Sequence, residues 1–244
     1  MNFKFLLMTL LLPAMLIPTA VNSATVTVKI NQKSYSFTER PRLDEVLAPQ
    51  ALSQQWYWPA SKLFVLNNQP ALQRQQIIQQ LQTLTGQADD NLLPALAALQ
   101  NELSGWQLGQ RIPIRIDYDL ARANIALNPR FEAGEYLLLL TERPAEVHFF
   151  GALRQSVTME HRGAAAVRDY LNDLALLPDA DKEQVTIIQP DGVVLKAGVQ
   201  SWNKQHIELM PGAMVYVPFA QGWFSADFSK LNQQIPALAV HRMY

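Results

Sequence analysis

In Thr25-Val26-Thr27-Val28-Lys29-Ile30, polar and apolar side chains alternate. A period of two is typical of a β-strand that buries one face and exposes the other. Asn31-Gln32 then favours a tight turn, and Ser34-Tyr35-Ser36-Phe37 resumes the alternation. The sequence therefore predicts that the folded chain begins with a β-hairpin.

Residues 1–24, upstream of this hairpin, have the three parts of a secretory signal peptide. Lys4 precedes an unbroken apolar run at residues 5–12, and small residues lead up to Ala24. The run is shorter than the roughly 20 residues that span a bilayer. We expect cleavage near Ala24 and an exported chain with no remaining membrane span. The alternative is a retained N-terminal anchor.

The composition limits the class of protein. The chain has 20 basic residues, 21 acidic residues and no cysteine. This near-balance provides no electrostatic attraction to nucleic acid or to an anionic membrane, so neither is an expected partner. Without disulfides, an exported chain is stabilised by packing alone. The roughly 220 residues after the signal suit one large domain or two small ones in contact.

A helical hairpin is predicted at about residues 69–106. Its first helix begins near Pro70, and Asp89-Asp90 is positioned to cap the second. We expect an insertion that packs on the first sheet. The apolar stripes are Ile77, Ile78, Leu81 and Leu84 in one helix and Leu92, Leu96, Leu99, Leu103 and Trp106 in the other.

Shorter elements flank this insertion. A helix over residues 43–47, predicted to stop before Pro49, and a strand over 63–66 precede it. Strands over 112–116 and 136–140 follow it. These segments complete a first domain.

The second half of the chain repeats the plan. A weak internal repeat relates Ala133-Gly134-Glu135-Tyr136-Leu137-Leu138 to Pro211-Gly212-Ala213-Met214-Val215-Tyr216. A hairpin is predicted around the turn Pro190-Asp191-Gly192. The other predicted elements are strands over 147–150 and 157–159 and a helix carrying Val167, Tyr170, Leu171 and Leu174.

We therefore predict two small sheets that each grip one helix, a tandem β-grasp (ubiquitin-like) arrangement in the α+β class. The domains would span residues 25–145 and 146–219.

An amphipathic helix is predicted within the C-terminal segment, residues 220–244. Pro236 lies inside it and is expected to bend or fray it. We expect the apolar stripe to pack on the protein itself, with a partner or a lipid surface as alternatives. The stripe consists of Phe224, Phe228, Leu231, Ile235 and Leu238.

One run resembles a known family: Trp202-Asn203-Lys204-Gln205-His206-Ile207-Glu208-Leu209-Met210-Pro211-Gly212. It is similar to a stretch of the GfcC/YjbG capsule and exopolysaccharide assembly proteins of Gram-negative bacteria. Similar motifs occur in order at Trp56-Tyr57-Trp58-Pro59-Ala60, at Gly109-Gln110-Arg111-Ile112-Pro113 with Asp117-Tyr118-Asp119, and at Leu231-Asn232-Gln233-Gln234-Ile235 with Arg242. Tyr57, Gln110 and Tyr118 depart from the family pattern.

The resemblance implies a periplasmic protein that works beside polysaccharide export machinery. It implies tandem β-grasp domains like the ligand-binding domains of the Wza-type outer-membrane export channel. The expected partners are export or assembly proteins and the surface polysaccharide itself, and no cofactor is implied.

No catalytic or metal-binding residues are predicted. The four histidines lack a neighbouring nucleophile signature, and a cysteine nucleophile is impossible. Asp117-Tyr118-Asp119 and Asp179-Ala180-Asp181 lack the glycine and glutamate that complete a calcium loop, so we interpret them as turns. Two carboxylates brought together by the fold could still make a glycosidase.

Arg111 is the first candidate binding residue. A guanidinium binds a carboxylate through two hydrogen bonds, so Arg111 could hold a uronic acid. Alternatively, it ties the C-terminal helix or a loop carbonyl to the first domain. The two roles are compatible.

Aromatic and polar side chains provide the other candidates. Trp56 and Trp58 could stack on sugar rings, although their position beside Pro59 favours a packed plug between the domains. Trp202, Lys204 and His206 alternate in an extended stretch and could share one face. The alternative, which we prefer, buries Trp202 in the core with its polar neighbours hydrogen-bonded.

These observations predict a non-enzymatic periplasmic accessory factor in capsule or exopolysaccharide assembly. It would bind export machinery, the glycan, or both. The alternatives are a stand-alone glycan-binding module and a polysaccharide-modifying hydrolase.

Overall fold

The structure, a computed structural model, describes residues 25–88, 90–220 and 225–243. The predicted signal peptide, Asp89 and Phe224 lie outside the described residues. Within them the chain alternates strands and helices in the α+β class predicted from the sequence.

The strands form two sheets of five. Those of the first sheet are β1 (Val26–Ile30), β2 (Lys33–Phe37), β3 (Lys62–Val65), β4 (Gln110–Ile112) and β5 (Gly134–Leu139). Those of the second sheet are β6 (Glu146–Gly151), β7 (Val157–Glu160), β8 (Gln184–Ile188), β9 (Val194–Gly198) and β10 (Met214–Val217).

Six α-helices occur in the described part of the chain, together with single 3₁₀ turns at Trp58–Ala60 and Ile125–Leu127. The helices are α1 (Leu43–Ala51), α2 (Gln69–Thr85), α3 (Leu93–Gly105), α4 (Tyr118–Ala123), α5 (Val167–Leu171) and α6 (Ser225–Ala239).

The two sheets share one topology. Their strand orders are β2-β1-β5-β3-β4 and β7-β6-β10-β8-β9. In each sheet the first strand pairs antiparallel with the second and parallel with the last. One helix, α1 or α5, follows the first hairpin in each half. The internal repeat suggested by the sequence is therefore a repeat of topology.

The second sheet is covered on both faces. Consecutive side chains of β6 point to opposite faces, so Phe149 contacts Tyr170 of α5, while Phe150 contacts Trp106 just after α3. The ring centroids are 5.6 and 5.4 Å apart. Coverage of both faces explains why residues 185–188 of β8 and residues 215–217 of β10 are buried without alternation.

The prediction that the helical hairpin packs on the first sheet is wrong. The apolar stripes of α2 and α3 join one core cluster with β6, β8, β10 and α6. The core between the first sheet and α1 is a separate cluster, and all its members lie within residues 26–140. The hairpin is inserted in the first half but covers the second sheet, because that sheet has two apolar faces and α5 covers only one.

The predicted packing of α6 on the protein is confirmed. Phe228 is 5% exposed, and Leu231, Ile235 and Leu238 are fully buried against the hairpin and the second sheet. The helix continues past Pro236 to Ala239. Burial of Leu238 beyond the proline outweighs the hydrogen bond that the proline removes.

Three local predictions also need correction. Helix α1 runs through Pro49 to Ala51, whose side chain is buried. Strand β4 ends at Ile112, because Pro113 cannot donate to the ladder. Asp90 does not cap α3, which begins at Leu93 with Leu92 preceding it. The predicted hairpin around Pro190-Asp191-Gly192 is confirmed by the pairing of β8 with β9.

Candidate binding cleft between the two sheets

The C-terminal segment joins the two halves. After α6 the chain crosses from the second sheet to the start of β4. The Gly109 N–H donates to the His241 carbonyl oxygen at 3.0 Å, and the Met243 N–H donates to the Gln107 carbonyl oxygen at 2.9 Å. Met243 then packs on the face of the first sheet opposite α1, against Phe64, Leu137 and Leu139.

Arg111 lies at the contact between the two halves and the C-terminal segment, which we call the seam, and is 8% exposed. Its Nη2 donates to the Pro190 carbonyl oxygen at 2.6 Å, and its backbone N–H donates to Nδ1 of His241 at 3.0 Å. Arg111 thus lies beside the segment that follows α6. The geometry corresponds to the tie predicted as an alternative to carboxylate binding, because the guanidinium is buried and already donates to a loop carbonyl.

Two glycines allow the halves to approach. A Cβ on Gly192 would lie 3.1 Å from Cζ of Arg111, and one on Gly212 would lie 2.9 Å from Cγ of Pro144. Both glycines have positive φ, 95° and 86°. The backbone of these two turns of the second half therefore packs directly against Arg111 and against Pro144, which lies in the linker between the two sheets.

Burial shifts the pKa values of ionisable side chains at the seam. Burial lowers the pKa of Arg111 to about 10, although Asp191 acts in the opposite direction. Burial and the neighbouring Arg111 also lower the pKa of His241. His241 is thus favoured in its neutral form, in which Nδ1 can accept the hydrogen bond from Arg111.

A cleft of about 900 Å³ opens beside this seam. The first half contributes the β1–β2 turn, the segment after α1, the start of β3 and the end of β5. The linker residue Pro144, the turn residues Pro190 and Gly212, and Met243 complete the wall. The polar side chains that line it are Asn31, Gln32, Lys33, Gln50, Gln54, Lys62, Thr141 and Glu142.

Lys62 is the cation at the base of the cleft. It shares a sheet face with Phe64 and Arg111, because Phe64 pairs with Arg111 across the ladder and Lys62 is two residues from Phe64. Its Nζ lies 3.5 Å from the Arg242 carbonyl oxygen. Burial, and then the charges of Arg111 and Arg242, lower the pKa of Lys62 to about 8.

Trp56 faces the cleft, and Trp58 does not. The Nε1 of Trp56 donates to the Gln50 carbonyl oxygen at 2.8 Å, and its ring forms part of the cleft wall. Trp58 packs against the core of the first sheet. Both tryptophans contact that core, which contains first-half residues only, so the prediction of a plug between the domains is wrong.

The preferred prediction for Trp202, a core side chain, is also wrong. Trp202 is 72% exposed, on a loop of the second half that does not contribute to the cleft. Lys204 and His206 are exposed on the same loop, and Nε2 of His206 lies 3.4 Å from Oε1 of Glu208. Asn203 anchors the loop by donating to the Glu183 carbonyl oxygen at 2.9 Å. The structure therefore does not bring the Trp202 group together with Arg111 or Trp56.

A second polar cluster connects α3, β6 and the C-terminal segment. Oε1 of Glu102 accepts from Nε1 of Trp106 at 2.8 Å and lies 3.0 Å from Nε2 of His148 and 3.3 Å from Nη1 of Arg242. The hydrogen bond from His148 is the main cause that lowers the pKa of Glu102 to about 2. Desolvation acts in the opposite direction.

Sequence reasoning missed Lys62 and Glu102. Lys62 could have been found from the period of two that places it on the same face as Phe64. Glu102 is four residues before Trp106, which directly follows α3, and this spacing permits their contact. Their partners Arg242 and His148 are distant in sequence, and no local signal relates them.

Within residues 25–88, 90–220 and 225–243, no group of three or more His, Asp or Glu side chains is arranged to hold a metal. None of the helices in those ranges is both long enough and apolar enough to cross a bilayer.

Comparisons with known proteins give consistent results for both halves. The model of the capsule biosynthesis GfcC N-terminal domain matches residues 20–143, and the model of the GfcC C-terminal domain matches residues 155–244. The chain is 30% identical over 220 residues to the uncharacterized protein YjbG of Escherichia coli (strain K12), covering 87% of this chain and 88% of that protein.

Proposed function

Because the chain belongs to the GfcC family of capsule biosynthesis proteins, we propose that it is a periplasmic accessory factor in the assembly or export of a surface polysaccharide. It acts without catalysing a reaction, by binding export machinery, the glycan, or both. The observation that carries this proposal is the family match over both halves of the chain, combined with a cleft that contains several polar side chains where the two halves meet.

The repeated topology supports the finer assignment of the fold. Each half has a hairpin, then a helix, and a last strand that lies parallel to the first in the middle of the sheet. This arrangement suits tandem β-grasp domains like the ligand-binding domains of the Wza-type export channel. Residues 25–145 and 146–219 are the two domains in this proposal, and residues 1–24 are the export signal.

The contacts at the seam support a binding role. Hydrogen bonds cross between the halves and the C-terminal segment. Arg111 donates to the Pro190 carbonyl oxygen and to His241. The Glu102 carboxylate is paired with His148. These side chains hold the two repeats and the C-terminal segment in one arrangement. A fixed arrangement presents the cleft as a pre-formed surface, which reduces the entropy lost on binding.

Gene deletion tests the proposal. We expect reduced surface or secreted polysaccharide with near-normal growth, restored by the full chain but not by a chain lacking residues 1–24. Unchanged polysaccharide under conditions where the gene is expressed would contradict a role in assembly. Release of reducing ends from purified polysaccharide by the purified protein would contradict the non-enzymatic assignment.

A further inference from the structure

The cleft has the chemical character of a carbohydrate site. Amide side chains, which both donate and accept hydrogen bonds, suit the hydroxyl groups of a sugar. Here Gln32, Gln50 and Gln54 line one cleft together with the ring of Trp56, while the Asn31 amide is bonded to the Leu140 backbone. An indole ring provides an apolar surface for the face of a pyranose. The volume of about 900 Å³ is large among ligand sites, which span roughly 300–1,000 Å³, so more than one sugar ring fits.

Lys62 places positive charge at its base, and no described residue places an opposite charge within ion-pair distance of it. Within the described part of the chain the Lys62 Nζ donates to the Arg242 carbonyl oxygen at 3.5 Å, a long contact. The guanidinium groups of Arg111 and Arg242 add further positive charge nearby.

A partly buried ammonium is stabilised by an anion that arrives with a ligand. We infer that the cleft binds an acidic glycan, with a uronate carboxylate paired to Lys62, a sugar ring on Trp56 and hydroxyl groups on the surrounding amides. This inference rests on the proposed function, since it names the glycan class that the assembly factor holds. It also assigns glycan binding to Lys62 and Trp56 in place of the exposed Trp202 loop.

Binding of an unbranched hexasaccharide of galacturonic acid to the purified mature chain tests the inference. Titration calorimetry compares it with the neutral hexasaccharide maltohexaose and with the peptide hexaglutamate. We expect the hexauronate to bind at least about tenfold more tightly than either, because only it offers both a carboxylate and sugar rings. Equal binding of maltohexaose would overturn the role of charge, and equal binding of hexaglutamate would overturn the role of the sugar.

Matched variants locate the site. Lys62→Met keeps the apolar stem and should weaken hexauronate binding about tenfold or more, the size expected for loss of a hydrogen bond to a charged group. Lys204→Met removes a lysine from the Trp202 loop and should leave the affinity unchanged. Trp56→Leu should weaken binding while Trp202→Leu does not. The reverse pattern in either pair would place the glycan on the loop and overturn the inference.

The pH dependence gives a second readout. Since the pKa of Lys62 is about 8, hexauronate affinity should fall between pH 7 and pH 9.5 in the parent chain and stay nearly flat in Lys62→Met. The other charged groups facing the cleft or its base are Lys33, Arg111, Glu142, His241 and Arg242. A decline of equal size in both proteins would assign the titration to one of those groups and overturn the role of Lys62.

These experiments separate the two proposals. Absence of hexauronate binding together with a polysaccharide defect on gene deletion would reject the cleft assignment and leave the assembly role standing. Hexauronate binding without a deletion phenotype would support the cleft assignment and reject the assembly role.

Discussion

Leu103→Ala tests the finding that the helical hairpin belongs to the core of the second sheet. Leu103 lies in α3 and is fully buried in the cluster that joins α2, α3 and α6 to β6, β8 and β10. Truncating a buried leucine to alanine leaves a cavity and costs about 2–5 kcal/mol. Since this cluster includes the second sheet and not the core of the first, we expect the lost stability to appear in the second sheet first.

Native-state hydrogen exchange measures the loss sheet by sheet. At a factor of ten for about every 1.4 kcal/mol, amides of β8 should exchange roughly 30-fold to several thousand-fold faster in Leu103→Ala. Amides of β1 should change much less, because the first sheet has its own core with α1. Leu72→Ala is the control, since Leu72 is 56% exposed on α2 and its loss should cost less than about 0.5 kcal/mol.

Faster exchange confined to β1, with β8 unchanged, would refute the packing of the hairpin on the second sheet. Equal acceleration in both sheets would refute the separate opening of the two halves. It would instead show that the seam around Arg111 makes them one cooperative unit.

Three other changes test contacts at the seam and the C-terminal helix. Glu102→Gln should lower the free energy of unfolding by about 1–2 kcal/mol, allowing for the partial exposure of the carboxylate. The folded-state pKa of Glu102 is lowered from 4.5 to about 2, so its contribution to stability is complete above pH 4.5 and is lost as the pH falls toward 2. The unfolding free energies of parent and variant, measured by urea titration, should therefore converge over that interval. Arg111→Ala leaves the Pro190 carbonyl without its donor and should cost about 1–3 kcal/mol, and a Tm equal to that of the parent would show that the tie contributes nothing. Removing residues 223–244 should lower the Tm more than Arg111→Ala does and should raise ANS fluorescence. The reason is that burial of Phe228, Leu231, Ile235 and Leu238 contributes about 1.5–3 kcal/mol for each side chain. An unchanged Tm would contradict the packing of α6.

The elements that the sequence predicted well are those with a long, regular apolar pattern. The stripes of α2 and α3, and the alternation of β1, depend on contacts within one element and are visible in any single stretch. The errors at Pro49 and Pro113 lie at element ends. There the outcome depends on how much side-chain burial compensates for a missing backbone donor, and burial is set by distant residues.

The candidate site was predicted only in part. Arg111 was identified, and its tie to a loop carbonyl was among the alternatives. Trp56 was identified, but the cleft that it faces is formed by segments that are up to about two hundred residues apart in sequence. The sequence favours a core position for Trp202, whereas Asn203 anchors its loop in a conformation that leaves the ring in solvent.

The α+β class, the repeated order of elements and the amphipathic character of the last helix follow from local periodicity, so a single sequence is enough to predict them. Which sheet the hairpin covers depends on tertiary packing, since a leucine stripe fits any apolar face and side-chain period does not distinguish one face from another. The same holds for the cationic base of the cleft. Lys62, Arg111 and Arg242 come together because the C-terminal segment crosses back to β4, a long-range pairing that no local pattern encodes.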